Sequence, residues 1–155
     1  MSVENIVACC ILIIAVAAMI ALTVYKSRKQ NKEITIDQFI EIYYNNIIAV
    51  LQDVVSILQI NTELFDDKES FDKAIINITI TKIVENANEL GIDTNLVNLF
   101  NTDALTNAIY GLFREEEEEV FSAIGYEAME SKPELYSAGT IAKLKRNDEV
   151  YSEEE

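Results

Sequence analysis

Residues 6–25 form an apolar run of twenty residues that contains no charged side chain. At a rise of about 1.5 Å per residue, a helix of this length reaches across the roughly 30 Å hydrocarbon core of a bilayer. A cleaved signal sequence and a buried core helix are the two alternatives for such a run. The run predicts an N-terminal transmembrane helix, which we assign to residues 1–25.

The charges on either side of this run indicate its orientation. Glu4 precedes it, and four basic residues follow it: Lys26, Arg28, Lys29 and Lys32. Basic flanks stay on the cytoplasmic side of a membrane, whereas a signal peptide carries its basic residues before the apolar region. We therefore expect a single-pass protein of the inner (cytoplasmic) membrane, with the N-terminus outside. A basic juxtamembrane linker at residues 26–34 then leads into the cytoplasm.

Small side chains recur within the run. Ala15 and Ala18 are three residues apart, and Ala17 and Ala21 are four residues apart. Small residues let two transmembrane helices approach closely and make dispersion contacts that lipid tails do not match. Although alanine is also simply common in membrane spans, we expect these four residues to mediate association of the helix with another copy in the lipid bilayer.

The rest of the chain is strongly acidic, with 26 acidic and 8 basic residues from Glu33 onward and hence a net charge of −18. This charge repels phosphate backbones, so we expect no nucleic-acid partner. The sequence contains no histidine, and Cys9 and Cys10 both lie in the apolar run. The soluble part therefore lacks the residues of Ser-His-Asp triads, Cys-His pairs and thiolate or imidazole zinc sites. We predict a non-enzymatic protein without a cofactor.

Helical periodicity predicts one small domain over residues 35–126. Thr35 and Gln38 have the spacing of a capping box, which predicts that a helix starts near Ile36. Apolar residues then recur at intervals of three and four through residues 36–58, on two adjoining stripes. A two-stranded coiled coil needs a narrower seam, so this wide face favours packing in the core of a helical bundle.

Two more helices are expected in this domain. A polar loop at 61–67 precedes a helix over residues 68–90, which Gly91 ends. Residues 76–81 also alternate with period two, so a strand is an alternative there, but the helical periodicity continues on both sides. A short helical turn and a third helix from about Thr102 complete the predicted domain.

Five consecutive glutamates at 115–119 follow the third helix. Because such side chains do not face a core, we expect a solvated helical extension there in preference to a cation site. Residues 127–155 hold the only proline, scattered aromatic residues and an acidic end, which is typical of a flexible acidic tail. The predicted fold is therefore mainly α: one N-terminal transmembrane helix, a small cytoplasmic helical domain and this tail.

The order of these features carries a family resemblance. One span and a basic flank precede Phe71-Asp-Lys-Ala-Ile, which opens a helix that ends at Glu89-Leu-Gly-Ile92, and Leu105-Thr-Asn-Ala-Ile-Tyr110 follows as a short amphipathic helix. Over residues 1–113 this pattern resembles the LL-H-type phage holins, and the glutamate run and the tail depart from it. The resemblance implies a homo-oligomer that accumulates in the inner membrane and forms a lesion through which a lytic enzyme is released.

The polar content of the span limits what such a lesion can be. Between residues 6 and 24 only Thr23, Cys9 and Cys10 are polar, so an aqueous channel lined by this helix alone is disfavoured. The alternative function is a membrane-anchored adaptor or scaffold, whose acidic helical domain recruits a cytoplasmic protein partner.

Overall fold

A computed structural model describes residues 2–31 and 34–153, with the backbone alone for residues 27–31. The chain divides into two compact units, Met1–Thr35 and Ile36–Glu155. The protein is 81% helical, and no described residue lies in a strand. The mainly α prediction is therefore confirmed, and the alternative of a strand at residues 76–81 is wrong.

The first unit consists of helix α1, Val3–Asn31, which is a single helix of 29 residues. It continues beyond the predicted span into residues that were assigned to a linker. Lysine and arginine are good helix formers, so the helix has no reason to stop at the last apolar residue.

The second unit begins with α2, Ile36–Ile42, and α3, Tyr44–Leu58. One continuous helix was expected here, but Tyr43 leaves helical geometry with φ −103° and ψ 18°. The phenol oxygen of Tyr43 accepts a hydrogen bond from the backbone N–H of Asp93 at 3.3 Å. The wide apolar face of α3 is buried in the core, as predicted; its buried residues are Ile47, Ile48, Val50, Leu51, Val54 and Val55. A 3-10 helix, Gln59–Leu64, follows α3 directly.

Helix α4, Lys68–Asn86, starts where the sequence predicts, because the Asp67 side chain accepts a hydrogen bond from the backbone N–H of Ser70 at 2.8 Å. After Asn86 the chain turns back at Gly91, which has a φ of +75°. Glycine adopts this left-handed conformation at little cost, and it is the usual residue after a helix.

Two further helices complete the predicted part of the domain. Helix α5 is Thr94–Val97 and α6 is Thr102–Glu115. The Asn101 side chain caps α6 by accepting a hydrogen bond from the backbone N–H of Ala104 at 2.7 Å. Helix α6 packs against α2 and α4, and α3 packs against α4. The buried residues of α6 are Leu105, Ile109, Leu112 and Phe113.

The glutamate run differs from the predicted solvated extension. The helix breaks at Glu116, with φ −109° and ψ 23°, and α7, Glu117–Phe121, turns back toward α3. Val120 and Phe121 are completely buried. Burial of these two apolar residues favours this turn, since a straight continuation of α6 would leave them in water.

Residues 127–155 also differ from the predicted flexible tail, because most of them are helical. Helix α8 is Tyr126–Glu130, a 3-10 helix follows at Pro133–Leu135, and α9 is Ala138–Glu153. Their inward side chains are buried: Met129, Leu135, Tyr136, Thr140 and Leu144. This segment closes the core of the second unit over an aromatic cluster, in which the ring of Tyr136 lies 5.0 Å from that of Phe121 and 5.7 Å from that of Phe71.

Candidate membrane helix, charged centre and groove

Between residues 6 and 24, helix α1 carries no charged side chain on any face. Every side chain from Ser2 to Lys26 is exposed, and the stretch Val3–Lys26 is long and apolar enough to cross a membrane or to serve as a signal sequence. The hydroxyl of Thr23 donates a hydrogen bond to the carbonyl oxygen of Met19 at 2.9 Å. This polar group is thus satisfied within the helix, which is the requirement for a helix in lipid.

All four alanines predicted for helix association lie on α1 with their side chains exposed. At about 100° per residue, Ala17 and Ala21 lie about 40° apart and share one face. Ala15 points about 160° away from Ala17, and Ala18 lies between them. The four alanines therefore occupy a broad arc, and Ala17 with Ala21 is the pair that could seat a neighbouring helix.

The predicted basic flank is described only in part. Lys26 is exposed at the end of the apolar stretch. The backbones of Arg28 and Lys29 belong to α1, but their side chains, and the whole of Lys32, lie outside the described residues.

A second stretch, Tyr44–Leu64, is also long and apolar enough to span a membrane, and a third of it is buried. It comprises α3 and the 3-10 helix that follows, so its apolar face is the core face of the second unit. Burial in that core accounts for its composition.

A charged centre lies where α4 meets the glutamate run. The ammonium of Lys68 is 3.1 Å from a carboxylate oxygen of Asp72 and 3.0 Å from Oε1 of Glu117. The side chains of Asp72 and Glu117 are only 8% and 14% exposed. The backbone N–H of Ser137 donates to the same Oε1 atom at 3.2 Å. The ammonium of Lys68 therefore connects α4 to α7, and the carboxylate of Glu117 in turn connects α7 to the residue that precedes α9.

The surroundings of this centre are apolar. The Lys68 ammonium lies 5.9 Å from the ring centroid of Phe113 and 6.0 Å from that of Phe121. Burial raises the pKa of Asp72 above its ordinary value, and the neighbouring Lys68 counteracts this effect only in part. Burial of a charge is costly without a partner, so Lys68 is what makes two poorly exposed carboxylates tolerable here.

An open groove of about 570 Å³ runs beside this centre. It is bordered by residues of α4 and α6, including Lys73, Ile76, Asn77, Tyr110 and Arg114. The ammonium of Lys73 pairs with Glu69 at 2.8 Å, and both side chains are more than half exposed. The guanidinium of Arg114 lies 5.2 Å from the centroid of the Tyr110 ring. The groove thus combines cations with an aromatic surface.

Sequence reasoning missed this centre and this groove. The spacing of Lys68 and Asp72 as an i,i+4 pair was a visible signal, but Glu117 lies 49 residues after Lys68 in the chain.

A smaller hollow of about 280 Å³ between α2 and α6 is bordered by Asp37, Ile40 and Gly111, among others. Among the described residues, no group of three His, Cys, Asp or Glu side chains is placed to hold a metal ion.

No protein-family model, curated protein or solved structure matches this chain.

Proposed function

We propose that this chain is a non-enzymatic single-pass membrane protein that self-associates in the cytoplasmic membrane, as a holin does, and permeabilises it. The N-terminus lies outside and the second unit lies in the cytoplasm. The observation that carries the proposal is α1, a long helix whose apolar side chains are exposed all round. Such a surface is stable in lipid and not in water.

The helices of the second unit support the same proposal. The order α4, a turn at Gly91 and Ile92, and then the amphipathic α6 is the order on which the resemblance to LL-H-type holins rests. The folded segment beyond α6 is an addition to that pattern. It closes the core of the domain and does not interrupt the helices that carry the resemblance.

Association through the face of Ala17 and Ala21 is the proposed first step. Side chains this small let two helix backbones come close, and the closely packed helices then attract each other by dispersion more strongly than lipid tails attract either helix. Because the hydroxyl of Thr23, the only one between residues 6 and 24, bonds to its own helix, a narrow channel lined by α1 alone would be dry. A lesion would therefore be a large defect bordered by many copies, or another segment would contribute polar groups.

The test follows membrane potential and growth in bacteria that express the full chain. Wild-type protein should collapse the potential after a period of accumulation. Replacing Ala17 and Ala21 by Leu should delay the collapse and reduce oligomers, since larger side chains keep the backbones apart while hydrophobicity is preserved. The matched control replaces Ala8 by Leu, because this residue lies on the side of the helix opposite Ala17.

A membrane-anchored adaptor is the second candidate. The observation that favours it is the second unit, Ile36–Glu155, which is a compact unit in its own right. In an adaptor α1 would only hold this unit at the membrane, and the leucine substitutions on both faces would be tolerated. If well-expressed, inserted wild-type protein leaves the membrane potential undisturbed, the holin-like proposal fails and the adaptor is the better explanation.

A further inference from the structure

The groove between α4 and α6 carries a small excess of positive charge in an acidic domain. Of the eight basic residues from Glu33 onward, three border it, Lys68, Lys73 and Arg114, together with the acidic residues Glu69 and Asp72. Lys68 is committed to Asp72 and Glu117 in the charged centre. Lys73 holds only an exposed pair with Glu69, and such a pair is readily exchanged.

Arg114 is the most available of these cations. It is exposed, its guanidinium lies over Tyr110, and it makes no ion pair within the part of the chain that the structure describes. A guanidinium presents a planar fork of N–H donors that suits a carboxylate. Arg114 and Tyr110 together suit a segment that carries a carboxylate beside an apolar or aromatic side chain.

The end of α9 is a segment of that kind. From Lys145 to Glu153 every side chain is exposed. The face that buries Thr140 and Leu144 continues to Asp148 and Tyr151, by the i,i+4 and i,i+7 spacing of a helix. Tyr151 on that face is 73% exposed. The ammonium of Lys145 lies 6.0 Å from the centroid of the Tyr126 ring, but no described side chain beyond Leu144 is buried. A helix end that buries no side chain gains little stability from its own hydrogen bonds.

We propose that the acidic end of α9 in one copy, residues 148–153, binds in the groove between α4 and α6 of a neighbouring copy. Asp148 and Glu149 would meet Lys73 and Arg114, and Tyr151 would lie against Tyr110. The neighbour is favoured over the same chain because α9 is one continuous helix, held in the core by Thr140 and Leu144 of its first half. Its end cannot turn back into its own groove without breaking the helix.

Such a contact joins two different surfaces, so each copy offers one of each. Reciprocal contacts between the same two copies would give a two-fold dimer, whereas head-to-tail repetition would give rings or open chains. Anchoring in one membrane raises the effective concentration of both surfaces. The inference rests on the proposed function only in that copies share a membrane, and it needs no membrane lesion.

Charge reversal tests the contact in the full chain, purified in detergent micelles and followed by sedimentation velocity. All variants carry Ala17→Leu and Ala21→Leu, which removes the proposed association of α1 and leaves that of the domains. Lys73→Glu with Arg114→Glu should weaken association roughly tenfold or more, because like charges then face each other. Asp148→Lys with Glu149→Lys should do the same.

The decisive variant combines all four substitutions, which restores opposite charges and should recover association. Lys82→Glu and Glu85→Lys are the matched controls, since both residues lie on α4 away from the groove, and each should leave association unchanged. Unchanged association in both double variants, or no recovery in the fourfold variant, would overturn the proposal.

A cross-link separates contacts between copies from contacts within one. A photoreactive phenylalanine analogue at position 110, in a mixture of two differently tagged full-length chains, should join the chains through residues 148–153. A cross-link to that segment confined to single chains, or no cross-link to it, would refute the neighbouring copy as the occupant.

Discussion

Replacement of Lys68 by Met tests whether the charged centre holds the second unit together. The substitution keeps the length and the apolar stem of the side chain and removes only the ammonium. Asp72 and Glu117, which are 8% and 14% exposed, then lose the cation that lies within 3.2 Å of both. The backbone N–H of Ser137 keeps its bond to Glu117, but it carries no net charge.

The size of the loss follows from this geometry. Removal of one member of a buried ion pair costs about 3–5 kcal/mol. The Lys68 side chain is 32% exposed, so water already screens part of the interaction. We therefore expect the free energy of unfolding to fall by about 2–3 kcal/mol near neutral pH. For a domain of this size that corresponds to a decrease in melting temperature of roughly 10 °C.

The pH dependence has a definite sign. Burial raises the pKa of Asp72 in the folded protein, so the protonated carboxyl favours folding. Protonation of Asp72 stabilises the fold fully at pH values below the ordinary pKa of an aspartate. This stabilisation is lost as the pH rises through the pKa that Asp72 has in the folded protein. Without Lys68 the pKa of Asp72 rises further, because the counteracting charge is gone. The cost of Lys68→Met should therefore shrink as the pH falls from about 7.5 to about 5.

The assay is thermal unfolding of the full chain in detergent, followed by circular dichroism at both pH values. Lys73→Met is the control, since it removes an exposed pair with Glu69 from the same helix and should cost much less. Equal losses for the two variants, or a loss at Lys68 that grows on acidification, would refute the argument.

Three further predictions concern the core and its turns. Tyr136→Phe should raise the free energy of unfolding by about 1 kcal/mol, because the buried hydroxyl of Tyr136 has no hydrogen-bond partner among the described residues. A lower melting temperature of this variant would contradict the prediction. A chain that stops at residue 126 should lose helical signal in circular dichroism, whereas a chain of residues 36–155 should keep it, because Leu135 and Tyr136 close the core. A fully folded shorter chain would show that the core does not need these two residues. Gly91→Ala should cost about 2 kcal/mol in chemical unfolding, because φ is +75° and a Cβ would lie 2.9 Å from Nδ2 of Asn46. Gly111→Ala, with open space around it, should instead be neutral or stabilising by up to about 1 kcal/mol, and a loss at Gly111 similar to that at Gly91 would count against the explanation.

Much of the helical layout could be predicted because it depends on neighbouring residues. Asp67 caps α4 with its own side chain, three residues from its donor, and Gly91 supplies the backbone conformation that ends the turn after it. The break at Tyr43 had no such local signal. Its phenol bonds to the backbone of Asp93, fifty residues away, so the bend between α2 and α3 depends on the assembled fold.

The glutamate run shows why charge alone was misleading. A carboxylate belongs in water unless a cation and hydrogen-bond donors surround it, and the prediction of a solvated extension applied this rule to the run as a whole. The fold brings Lys68 and the backbone of Ser137 to Glu117, and Lys143 to Glu118 at 2.8 Å. Each of these partners is distant in sequence, so the rule could not reveal them.

By itself the sequence determined that residues 6–25 form an apolar helix and that most of the remaining chain is helical, because hydrophobicity and helical periodicity are properties of contiguous residues. Only the tertiary structure decided that residues beyond 126 complete the core, that Lys68 joins α4 to α7 through Glu117, and that the cations of α4 and α6 border one groove. The physical reason is that burial and ion pairing are set by which distant side chains become neighbours, and that is fixed only when the helices pack.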